Sequence, residues 1–135
     1  MKKIIFFLIF ILCSMGSLYA QIFISANLRK DGWFNKTKKL YDSTFKDNTV
    51  PSTFEFDNDF TILRHKTDSK TSIYLIRSQK HDEGNGCWEF DIISDAGYSY
   101  YMIIDILNKN IRFIYKETGS TYLAQFGIHR VWVDK

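Results

Sequence analysis

Turn signals recur along this chain every ~8–12 residues with short β-type runs between them, a spacing that points to an antiparallel sheet folded back on itself. Phe54 and Phe56 alternate with Glu55 and Asp57, the period-two pattern of a half-buried strand. Asp57-Asn58-Asp59-Phe60 follows as a tight turn, since Asn and Asp tolerate left-handed backbone. Residues 60–66 are expected to return antiparallel, 67–70 to turn, and 71–79 to run as the next strand. The polar 81–86 stretch (HDEGNG) is a connection. Residues 87–94 then place Trp88, Phe90 and Ile92 on one face. Asp95-Ala96-Gly97 is a hairpin signal, followed by strands over 98–107, 111–116, 122–128 and 130–133.

The beginning of this series is harder to read. Residues 21–28 form an opening strand, but 29–51 mix charges, Asn and Thr without a clear period. Leu40, Tyr41 and Thr44 have loosely helical spacing, so helical turns compete with strand or ordered loop over 37–45. Pro51 cannot donate a ladder hydrogen bond and is expected to mark a strand boundary. The 98–107 run is apolar on both faces, which predicts a central position with another layer or a partner over its outer side. The fold expected is all-β: a small antiparallel meander of about eight strands, forming a barrel or a strongly curved sheet. Closure would remove the unpaired edges through which exported β-proteins associate.

The first twenty residues are an address. Lys2 and Lys3 precede an apolar run from Ile4 to Leu12, and Ser14, Gly16 and Ser17 lead to Ala20. That order is a secretory signal peptide, and the run is too short for the roughly 20 apolar residues that a span requires. Residues 1–20 are therefore expected to be removed near Ala20, leaving 21–135 as a single β domain, secreted or periplasmic, with no membrane span. Losing Lys2 and Lys3 leaves 16 basic against 15 acidic residues, so no basic excess remains for a nucleic acid. Cys13 departs with the leader, and Cys87 is left as a lone thiol, expected to be a small buried hydrophobe. Stability must then come from burying aromatic rings.

No set of residues points to a reaction. His65, His81 and His129 are far apart, with no neighbouring His or Cys to anchor a metal. His65 lies between Arg64 and Lys66, both of which should oppose its protonation. The 81–86 loop lacks the length and ligand spacing of a calcium loop. Glu55, Glu89, Asp91 and Asp105 are explained by strand alternation rather than by a cleft. No catalytic residues, no metal and no cofactor are expected. The candidate ligand-binding set is Trp88, Phe90, Tyr98, Tyr100, Phe113 and Tyr115, at alternating positions of three successive strands. Turned inward, these rings either fill a core or line a pocket, and in so short a domain a filled interior is favoured.

From about residue 53 to residue 132 the chain resembles small exported β-proteins of Bacteroidetes, many of them lipocalin-like. The residues that carry this are Tyr19-Ala20-Gln21, the hairpin Phe54-Glu55-Phe56-Asp57-Asn58-Asp59, and Trp88-Glu89-Phe90-Asp91 leading to Gly97. Ile103, Ile104 and Asp105 before Lys109, Ile111 and Tyr115 add to it. Gly32 and Trp33 are adjacent, where lipocalins proper place one residue between. The resemblance implies a lipocalin-like barrel and an exported location, and no active-site residues. The expected function is that of a non-enzymatic binding module for a small apolar ligand or an envelope protein, acting as a monomer. The alternative is an interaction or inhibitor protein of the envelope that docks by an edge strand or by the 29–51 segment. A carboxylate hydrolase ranks last.

Overall fold

The computed structural model describes residues 21–35, 40–41, 48–82, 84–117 and 120–134. Residues 1–20, expected from the sequence to be a leader, lie outside these, as does all of 37–45 except Leu40 and Tyr41. Nine strands follow one another: β1 (Gln21–Asn35), β2 (Leu40–Tyr41), β3 (Asn48–Phe56), β4 (Ile62–Thr67), β5 (Thr71–Asp82), β6 (Cys87–Ser94), β7 (Ser99–Asp105), β8 (Asn110–Glu117) and β9 (Ser120–Asp134). Every pairing is antiparallel and, β2 apart, each strand pairs with the next. β9 returns to pair with β1 from Gln21↔Asp134 to Asn35↔Ser120. The chain is thus a closed eight-stranded meander barrel, with β2 added on the β1 edge at Phe34 and Asn35, beyond the point where β3 leaves it.

Alternation along the strands fills one half of the interior. Ile22, Ile24, Phe56, Phe90 and Ile104 pack there with Trp88, leaving a gap of only about 10 Å³. Phe56 tilts against Phe60 and Phe90, each at 5.4 Å between ring centres. Outward positions carry the charges, as where Lys66 on β4 meets Glu55 on β3 at 2.9 Å.

Four local features differ from expectation. The left-handed residue of the 57–61 turn is Phe60, at φ 58°, rather than Asn or Asp. The Asp57 carboxylate holds that turn by accepting from the Thr61 amide and hydroxyl and from the Ile62 amide. Pro51 lies inside β3, not at its end, and faces the bulge where the β1 register shifts between Ala26 and Leu28. A bulge leaves a residue unpaired, so a missing amide hydrogen costs nothing there. That bulge also reverses the facing of β1: Ile22, Ile24 and Ala26 point inward before it, and Arg29, Asp31 and Trp33 share the inward side with Phe126, Ala124 and Tyr122 after it. β1 therefore continues seven residues past its expected end. Lastly, of the two covers expected over the outer face of β7, a layer or a partner, the layer is absent among the described residues. Tyr101 and Ile103 are half-buried there beside outward-facing side chains of β6 and β8, and the Tyr101 hydroxyl donates to Glu89.

Candidate ligand-binding cavity

The other half of the barrel is hollow. A cavity of about 620 Å³ opens between the β4–β5 turn and the start of β3, so the interior is half filled rather than filled as the short domain suggested. Its floor is aromatic: Phe113 and Phe126 pack at 5.8 Å, and Phe54 meets both from beneath. Tyr74 and Tyr100 stand edge to face at 5.9 Å and form one wall. Ala124, paired with Phe113 across β8 and β9, leaves the width that a larger side chain would take.

Polar groups surround that floor, and the innermost have an identifiable electrostatic setting. Arg29 stacks its guanidinium over Phe126 at 5.2 Å, and its Nε lies 3.5 Å from the Asp31 carboxylate. The Tyr122 hydroxyl donates to Asp31, and burial together with that bond pushes its pKa up to about 12. Burial does the same to Tyr74, again to about 12, and raises Tyr100. These phenols therefore stay neutral and keep their hydrogen-bonding protons across the physiological range.

His65 is the buried imidazole of the cavity. It is 7% exposed, lies flat on Phe54 at 4.3 Å and 1°, and stands edge-on to Phe126 at 5.0 Å. Its Nε2 has no hydrogen-bond partner among the described residues. Burial lowers its pKa to about 4, with Arg29 and then Lys70 adding to the effect. Arg64 and Lys66, the neighbours expected to oppose its protonation, are not the cause: they flank it on the outward side of the strand, where Lys66 pairs with Glu55.

Of the six aromatic residues expected to form a site, Tyr100 and Phe113 line the cavity. Trp88 and Phe90 lie in the packed half, around the small gap. Tyr98 is exposed and meets Tyr115 edge to face at 6.0 Å, and Tyr115 is half-buried beside Tyr100. Sequence reasoning did not bring Arg29, His65, Ser72, Tyr74, Tyr122 or Phe126 into this set, and all six line the cavity. Alternation in Ser72-Ile73-Tyr74 and in Tyr122-Leu123-Ala124-Gln125-Phe126 was the available signal.

The other candidates lie elsewhere. Glu89 is held by Tyr101, Asp91 accepts from Ser78, and Asp105 accepts from Asn108 and lies 3.5 Å from Arg112. None of these lines the cavity. Cys87 is buried, and desolvation, then Asp105, pushes its thiol pKa upward. Among the described residues no three His, Cys, Asp or Glu side chains come together as a metal site. No family model, curated protein or solved structure matches the chain.

Proposed function

We propose that this protein is an exported, non-enzymatic binding module that holds a small, largely apolar ligand in the open half of its barrel. The carrying observation is the cavity itself: about 620 Å³, with an aromatic floor at Phe113 and Phe126, and with neutral hydroxyls, His65 and the charged Arg29, Asp68 and Lys70 around it. Small-molecule sites typically enclose ~300–1,000 Å³ and combine apolar walls with a few polar groups. A hydrolytic role is less well supported, because His65, the imidazole among the described lining residues, is made a weak base by burial and its Nε2 has no partner among the described residues to orient it. The leader over residues 1–20 supports export. Arg64, Lys66 and Arg112 on the outward side of the strands favour water around the barrel, since each would cost ~2–4 kcal/mol at mid-bilayer.

A second reading, docking to an envelope protein, draws on Ile73 and Leu75, which lie side by side on β5 with 43% and 54% exposure. Docking through a sheet edge is poorly served, because β1 and β9 close on each other.

Fluorescence titration with two naphthalene dyes tests the first reading. Phenylnaphthylamine is uncharged, and anilinonaphthalene sulfonate is a related anion. At least one should bind with one-to-one stoichiometry, and Ala124→Phe, which fills the cavity, should abolish that binding. Failure of both dyes to bind, or binding that Ala124→Phe leaves untouched, would overturn the proposal.

A further inference from the structure

Resting on the cavity reading above, we infer that the ligand is an amphipathic anion, its apolar body on Phe113 and Phe126 and its one negative group against Arg29, with Lys70 adding attraction from the rim. Three observations carry this choice of chemistry. The first is the position of Arg29: the β1 bulge turns it to the inward side, and it lies over the same Phe126 ring that forms the floor. A cation that reaches an aromatic floor places apolar and anionic recognition within one ligand's length.

The second is the looseness of that cation's ion pair. Asp31 meets Arg29 through Nε at 3.5 Å, longer than a charge-assisted hydrogen bond at ~2.7–2.9 Å. Asp31 is also taken up by the Tyr122 hydroxyl. The planar guanidinium suits an oxyanion presenting two oxygens side by side. Asp68, the one carboxylate among the lining residues, is exposed on the β4–β5 turn, so it offsets only part of the attraction from Arg29 and Lys70 together.

The third observation is His65. It is more than nine-tenths buried, it lines the cavity, and its Nε2 is unpartnered among the described residues. The charges that act on it are Arg29 and Lys70, both positive. The remaining ionisable groups of the lining are the neutral phenols Tyr74, Tyr100 and Tyr122, together with Asp68. Two cations and one carboxylate thus line this part of the cavity, a balance that favours an anion over a further proton.

The two dyes separate this inference from the reading beneath it. An apolar pocket without a charge preference binds the uncharged dye more tightly, because the sulfonate must be desolvated. Here anilinonaphthalene sulfonate should bind at least about tenfold more tightly than phenylnaphthylamine, as a charge-assisted contact allows. Arg29→Gln should weaken the sulfonate far more than it changes phenylnaphthylamine and so remove most of that advantage. Lys70→Gln, on an exposed turn where folding is not at stake, should act in the same direction by a smaller factor. Equal affinities for the two dyes overturn the inference, and so does an Arg29→Gln effect shared equally by both; the binding module then stands with an uncharged ligand. Failure of both dyes to bind overturns the binding module itself.

Discussion

At the scale of a single residue, His65 couples the cavity to pH. Its pKa in the folded chain is about 4, against 6.5 for a free imidazole, because burial and the charges of Arg29 and Lys70 oppose the imidazolium. Between those values the unfolded chain binds a proton that the folded chain does not, so folding stability falls as the solution is acidified. The loss from this group begins near pH 6.5, is complete near pH 4, and amounts to up to roughly 3 kcal/mol. His65→Phe keeps a ring on Phe54 and removes the titration. Urea melts at a series of pH values should show the parent losing stability over this window relative to His65→Phe, which retains only the general acid response of the carboxylates. Parallel curves for the two proteins would mean that His65 takes up its proton as readily in the folded chain as in the unfolded one.

At the scale of the strand and the turn, the positive-φ glycines set a comparison. Gly86, which ends the β5–β6 connection, has φ +69°, and a Cβ there would come within 2.8 Å of the Leu107 side chain. Gly97, in the β6–β7 hairpin, has φ +89° and open space around it. Gly97→Ala should cost only the left-handed backbone term of about 1 kcal/mol, whereas Gly86→Ala adds the displacement of Leu107 and should cost about 2 kcal/mol or more. Chemical denaturation of both variants checks the order. Hairpins such as this one were legible in the sequence because turn residues act locally, and β6 runs over the expected 87–94. β1 and β5 were not, because bulges at Ala26/Leu28 and Ile76/Ser78 reverse which residues face inward. After its bulge, β1 puts Arg29 in the lining of a cavity rather than in a core, with Asp31 next on the same side, so the inward stripe loses its hydrophobicity along with its phase. The same limit applies to the site. Alternation reveals that Trp88, Phe90, Tyr100 and Phe113 face inward, but not how far along the barrel axis each lies, and depth separates the packed half from the hollow one.

At the scale of the whole barrel, that division separates stability from binding. Packed rings gain both transfer energy and dispersion contacts, and a cavity forfeits those contacts along its walls. Phe90 is 1% exposed and wedged against Phe56, so Phe90→Ala should cost about 3–5 kcal/mol, the range for removing a buried aromatic ring. Ala124 is just as inaccessible, at 4%, yet it borders about 620 Å³ of empty space. Ala124→Phe should therefore leave stability unchanged or raise it by up to about 2 kcal/mol, as cavity-filling substitutions do, while removing dye binding. Ser72→Phe, which fills the same space from β5, should do likewise. Opposite signs for stability and binding in these two variants are what a cavity kept open for a ligand predicts. Should both fills instead destabilise the barrel by several kcal/mol, the walls around Phe113 and Phe126 are closed in solution, and the hollow half is not the place where the protein acts.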